Sequence, residues 1–260
     1  MRDVKGNRRV ALVTGAGKRI GRVISLALAA DGWNLALHFH RSQAETEALA
    51  EQIRALGVEA TTLRCDLGNA AEATGLIGEC ERRLGAPTCL VNNAALFEYD
   101  DVATLDPQRW QRQLDVNLLA PLLLARDFAA RIPQDTTGCI VNLLDQKVFN
   151  LNPDFLSYTV AKIGLEGATR MLAIALAPRV RVCGVAPGIT LVSGEQTAEG
   201  FARAHRMAPL GRSSSPDDVA GAVLYAVNAG ALTGTTIVVD GGQHLWPSRR
   251  DVQFEAAAKR

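Results

Sequence analysis

At 260 residues, 48% hydrophobic, 21% charged and with a net charge of +1, the chain has the balance of a globular protein and room for a large core. No basic run offers a nucleic-acid footprint, and the longest apolar stretch, LLAPLLLA from Leu118, is far short of the roughly 20 residues that span a bilayer. The basic MRDVKGNRRV is followed by ALVTGAGKRIG and not by an apolar signal core, so the expected location is the cytoplasm.

Along the chain, short β-branched runs alternate with helix-period stretches. VALVTG reads as a strand entering a turn, and GRVISLALAADG as the helix after it, with Gly32 past its end. NLALHFH is a second strand. In ETEALAEQIRALG, Leu49, Ile53 and Leu56 share one helical face, and Gly57 ends it. EATTLRCD, TCLVNNA, GCIVNLLD, RVCGVAPG and TTIVVDGG complete a set of seven strands. Strands apolar throughout and separated by helices predict a doubly wound parallel sheet of Rossmann type, α/β in class, as a single domain over residues 1–260. Residues 189–212, poor in apolar side chains from Ser193 on, read as a surface flap over the substrate. The polar tail from Pro247 to Arg260 either packs on a neighbouring subunit or frays. The five cysteines are odd in number and scattered, the pattern of buried small side chains in a reducing compartment. No metal site is expected.

Thr14-Gly15-Ala16-Gly17-Lys18-Arg19-Ile20-Gly21 joins the first strand to its helix. Small residues before a helix N-terminus offer free N–H groups and a positive dipole end to a pyrophosphate. The second strand ends in His40-Arg41-Ser42, where an NAD site usually carries a carboxylate. Arg41 and Ser42 suit a 2′-phosphate instead, with Lys18 and Arg19 on the neighbouring loop, so NADP(H) is the expected cofactor. Tyr158 and Lys162 stand four apart in a helical stretch and so share a face. The ammonium is expected to lower the phenol's pKa towards a working range.

TGAGKRIG, Asp66, NNAA at Asn92–Ala95, Asn117, YTVAK and Pro187-Gly188 occur in the order of the short-chain dehydrogenase/reductase family, which the chain resembles from about Val10 to Gly242. The resemblance implies a nicotinamide dinucleotide held by Gly15, Lys18, Arg19, Ile20, His40, Arg41, Ser42, Asp66, Leu67, Asn93, Ala94, Tyr158, Lys162, Pro187 and Gly188. In it, Asp66 touches the adenine, Lys162 holds the nicotinamide ribose, Tyr158 donates the proton and Asn117 keeps a water path open to Lys162. It also implies a homotetramer.

Two positions depart from the family pattern. Arg19 stands where glycine is usual, and Asp145 replaces the serine that polarises a substrate carbonyl. With HFHRS and Phe97 after NNA, these departures resemble pteridine reductase and the dihydromonapterin reductases, although Ala95 replaces a serine common there. The implied activity is NADPH-dependent pterin reduction. Phe97 sandwiches the ring, and Asp145 and Tyr158 serve the protonation of nitrogen. Competing readings are a reductase of another carbonyl or imine, and a silent NADPH-binding regulator. Asp145 also has a structural alternative, capping a backbone turn, and Phe97 has burial under the flap.

Overall fold

A computed structural model describes residues 9–193 and 196–258. Strands β1 (Val10–Val13), β2 (Asn34–Phe39), β3 (Ala60–Arg64), β4 (Cys89–Asn92), β5 (Gly138–Leu143), β6 (Val180–Pro187) and β7 (Thr236–Val239) form one parallel sheet. Their order is β3-β2-β1-β4-β5-β6-β7. The connecting helices are α1 (Arg19–Ala30), α2 (Gln43–Ala55), α3 (Ala70–Leu84), α4 (Pro107–Leu114), α5 (Ala120–Arg131), α6 (Leu156–Leu176), α7 (Ala198–His205), α8 (Pro216–Asn228) and α9 (Val252–Ala258). Winding runs outward from β1 through β3 and then returns to place β4 on the other side of β1. That reversal opens a crevice at the carboxyl ends of β1 and β4, the position where doubly wound sheets bind ligands.

Alternation within each strand feeds two cores. Ala11 and Val13 of β1 join Leu35, Leu37, Ile24, Leu28, Ile53 and Val223 on the face covered by α1, α2 and α8. Val10 and Leu12 point the other way, to Leu76, Ile77, Leu124 and Phe128 under α3 and α5. Burying each such side chain contributes about 1.5–3 kcal/mol, which the chain entropy of ordering largely offsets. All five cysteines are free and buried. Among the described residues, no helix is long and apolar enough to cross a membrane.

Three local expectations need correction. Leu49 and Ile53 are buried, but Leu56 is exposed, because α2 stops at Ala55 and Leu56 is already turning off the helix. The 189–212 segment is not a bare surface flap. It contains α7, and Ala204 and Ala208 are buried, with Ile189, Met207 and Val252 gathered around Ala204. Positions 194–195 of the flap lie outside the described residues. Through residue 258 the tail is ordered and does not fray. It turns back on its own chain as α9, against α7 and the mouth of the crevice.

Candidate active site

The crevice holds a cleft of about 400 Å³. Its floor is built from strand ends: Gly15 after β1, Asn93 and Ala94 after β4, Leu143 to Asp145 at the end of β5, and Pro187-Gly188 at the end of β6. Tyr158 and Lys162 reach in from α6, while Lys18, Arg19, Ile20, Ala95 and Phe97 complete the lining.

The phosphate end fits a dinucleotide. The N-terminus of α1 has no side-chain cap at Lys18 and no acidic residue in its first turn, which leaves N–H groups and the dipole for an anion. Gly15 adopts φ +62°, and a side chain at Gly21 would collide with the carbonyl of Gly15. His38 of β2 holds this turn from beneath. Its Nδ1 accepts from the Gly15 N–H at 3.1 Å, and Nε2 faces the Cys65 carbonyl at 3.0 Å. Burial lowers the His38 pKa to about 4, so the ring is neutral, with its proton on Nε2.

Arg19 sits at φ +53°, the left-handed region that glycine favours, at a cost of about 1 kcal/mol. Its guanidinium binds the Val192 carbonyl at 2.7 Å and Ser193 Oγ at 2.9 Å, tying the phosphate loop to the substrate-side segment. Lys18 is ion-paired with Glu45 of α2 at 2.6 Å.

His40, Arg41, Ser42, Asp66 and Leu67 do not line the cleft, because they follow β2 and β3, at the outer side of the crevice. Ser42 precedes α2 beside Gly17, with its side chain uncommitted as a cap. Arg41 is exposed and forms no ion pair among the described residues. His40 Nε2 lies 3.7 Å from Asp66 Oδ2. Leu67 is buried.

At the chemical end, Tyr158 Oη donates to Asp145 Oδ2 at 3.0 Å. The other carboxylate oxygen accepts from the Lys147 N–H at 2.9 Å, so Asp145 both caps a turn and engages the phenol. Burial raises the Asp145 pKa above its usual value, partly opposed by Lys147. Lys162 Nζ donates to the Leu143 carbonyl at 2.6 Å, and burial lowers its pKa to about 8. The Tyr158 pKa is not lowered. Burial, and then the Asp145 charge, push it well above its usual value, and the ammonium lies 5.6 Å from the ring centroid.

Phe97 is not buried under the flap. It is 38% exposed, stacked on Phe155 at 4.2 Å and perpendicular to Tyr158 with centroids 4.8 Å apart, and lines the cleft. Asn117 is fully buried in a π-helical turn, Asp115–Leu119, and is absent from the lining. Its carboxamide accepts from Leu96 N–H and donates to the Leu96 carbonyl and to Gln113. It therefore clamps the loop that carries Phe97, and among the described residues no hydrogen bond joins its side chain to Lys162.

Sequence reasoning missed Gln146, Lys147 and Asp251, which all line the cleft. Lys147 is 2% exposed and paired with Asp251 at 3.0 Å. Its adjacency to Asp145 was the available signal.

The family model described as Enoyl-(Acyl carrier protein) reductase matches residues 15–244. The crystal structure of FolM alternative dihydrofolate reductase 1 from Brucella canis, complexed with NADP, superposes with a TM-score of 0.87 at 41% identity, covering 92% of this chain and 96% of that one. Pteridine reductase 1 of Leishmania tarentolae is 33% identical, over 91% of this chain and 96% of its own. A 3-oxoacyl-(acyl-carrier-protein) reductase of Staphylococcus aureus is 32% identical, over 90% and 98%.

Proposed function

The chain belongs to the short-chain dehydrogenase/reductase family of oxidoreductases, and we propose that within it the chain reduces pterins with NADPH. The observation that carries this reading is the 3.0 Å bond between Tyr158 and Asp145 in a cleft walled by Phe97.

NADP(H) is the cofactor, and when bound it supplies the hydride. The free N–H groups of α1 and the Gly15 turn hold its pyrophosphate, with Arg41 and Ser42 placed for the 2′-phosphate. Asp66 and Leu67 serve the adenine end, Lys162 the nicotinamide ribose, and Asn93, Ala94, Pro187 and Gly188 the channel.

Reduction of a C=N bond requires a proton on nitrogen as carbon receives hydride. Tyr158 gives that proton from Oη. Asp145, whose buried carboxyl takes up a proton more readily than usual, sits where it can draw one from solvent and pass it back to the phenolate. Lys162 stabilises the phenolate as it forms. An ionised Asp145 beside a ketone opposes the developing alkoxide, which sets this site apart from a serine-bearing ketone reductase. Phe97, a lining aromatic next to Tyr158, suits a planar ring in the cleft.

We place the protein in the cytoplasm, where five buried thiols stay reduced, and assign it a homotetramer. Val160, Ile163, Met171 and Ile174 form an exposed apolar stripe on α6, as a helix-pairing face requires. NADPH oxidation against dihydrobiopterin, dihydromonapterin, dihydrofolate and simple ketones tests the function. Pterin turnover is expected. Robust ketone reduction without any pterin turnover overturns the reading in favour of carbonyl reduction, towards which the 3-oxoacyl reductase similarity points.

A further inference from the structure

The C-terminal segment is held on the substrate side of the cleft by charge and by stacking. Arg250 grips both carboxylate oxygens of Asp154, Nε at 3.0 and 2.9 Å and Nη2 at 2.7 Å, and Asp154 is almost fully buried. The Asp251 N–H adds a bond to Asp154 at 2.6 Å. A fork-shaped cation on a buried carboxylate is a strong and directional anchor.

From that anchor two contact chains run to the proposed substrate residues. In the first, Phe254 lies 5.5 Å from Tyr99 and 6.2 Å from Phe155, and Phe155 stacks on Phe97 at 4.2 Å. In the second, Asp251 Oδ2 pairs with Lys147 Nζ at 3.0 Å, and the Lys147 N–H holds Asp145 Oδ1 at 2.9 Å. The Lys147 ammonium also lies over the Phe155 ring at 5.6 Å, which joins the two chains. Asp251, Val252 and Gln253 themselves line the cleft. A segment with these links does more than cover a surface, because both the stacking wall and the carboxyl that meets Tyr158 rest on it.

We infer that residues 248–258 of the chain's own C-terminus form an acceptor-binding wall, with Arg250 and Phe254 as positioning residues that hold Phe97 and Asp145 for a planar heteroaromatic acceptor. The identity of the acceptor rests on the pterin reading. Gly15, Lys18, Arg19 and Ile20 of the phosphate loop take no part in these contacts, so the wall is expected to govern acceptor binding and leave NADPH affinity unchanged.

The test uses full-length Phe254→Ala, Arg250→Ala and Arg250→Lys, with KM and kcat for dihydrobiopterin at saturating NADPH. NADPH affinity is measured by fluorescence. Phe254→Ala is expected to raise KM about fivefold or more with kcat within about twofold, and Arg250→Ala to raise KM and also lower kcat through Asp145. Both should leave NADPH affinity within about twofold, with Arg250→Lys recovering part of the loss. If Phe254→Ala does not fold, Arg250→Ala carries the measurement, since that side chain is half exposed. An unchanged KM overturns the inference, as does a joint shift of KM, kcat and NADPH affinity, the signature of general loosening. Turnover of dihydrobiopterin by the parent protein tests the pterin reading separately. If only a carbonyl compound is turned over, that reading falls and the same KM-against-kcat split is measured on the carbonyl.

Discussion

Tyr158 donates its phenol proton to Asp145 across 3.0 Å, so the group that faces the acceptor is already bonded to a carboxyl that burial keeps ready to take up a proton. The Tyr158 pKa is held well above its usual value, which makes the phenol a proton donor at neutral pH and not a standing phenolate. Removing the hydroxyl should therefore cost turnover and spare cofactor binding. Tyr158→Phe is expected to lower kcat by about 10² or more, the scale of a lost general acid. NADPH affinity should stay within about twofold. Full activity in this variant would mean that Asp145 delivers the proton alone.

Asp145→Ser separates the two roles of that carboxylate. A serine hydroxyl still accepts from the Lys147 N–H, so the turn at Gln146–Val148 keeps its cap. The acid partner of Tyr158 disappears. Pterin turnover is expected to fall by about 10² or more, with a trace of ketone reduction gained from the carbonyl-polarising hydroxyl. A variant with parental pterin kinetics would reduce Asp145 to a capping residue.

Lys162 sets an alkaline limit. Burial disfavours its charged form and brings its pKa down to about 8, while Asp145 pulls the other way. The ammonium is thus present below about pH 8 and lost as pH rises through that value. In a profile of kcat/KM for NADPH, which reports groups of the free enzyme, activity should be level below and decline above that point. Asp145→Ser should move the limb to lower pH, because the carboxylate that favours the ammonium is gone. A limb that stays in place in that variant would assign the titration to another group.

Much of this architecture was legible in the sequence, and the exceptions have physical causes. Seven apolar runs with helices between them leave little choice but a covered parallel sheet, and Tyr158 and Lys162 share a face by helix geometry alone. The direction of the Tyr158 shift was misread because spacing reveals a neighbour but not burial, and burial outweighs a cation that reaches past the phenol to the Leu143 carbonyl. The clamp of the Asn117 carboxamide on Leu96 was not legible, because a π-helical turn that no periodicity announces sets it. The tail was unreadable for a related reason. Arg250 and Asp154 are 96 positions apart, and only the fold brings them together.

Cofactor preference depends on the uncommitted cation after β2. Arg41 forms no ion pair among the described residues, and no carboxylate follows it at the strand end, so a 2′-phosphate meets a free guanidinium. NADPH is expected to be preferred to NADH by about tenfold or more in kcat/KM, equivalent to roughly 1.4 kcal/mol. Arg41→Asp should shrink or reverse that ratio by offering a carboxylate to a ribose 2′-hydroxyl. Equal use of both cofactors by the parent protein would exclude the assignment.

His38 links the stability of the phosphate turn to pH. In the folded chain burial lowers its pKa to about 4, against about 6.5 for an exposed imidazole, because the ring must stay neutral to accept from Gly15 N–H. Between those two values the unfolded chain binds a proton that the folded chain refuses, so stability rises with pH across the window. The contribution is complete above about pH 6.5 and is lost progressively as pH falls towards 4, up to about 3 kcal/mol from this group. Urea unfolding measured at intervals from pH 7 to 4.5 should show that slope, and NADPH affinity should weaken with it as the Gly15 turn loosens. His38→Asn lacks the titrating ring and should flatten the slope while lowering stability at pH 7, where it substitutes imperfectly for the two hydrogen bonds. An equal slope in parent and variant would place the acid sensitivity elsewhere in the molecule and leave His38 as packing alone.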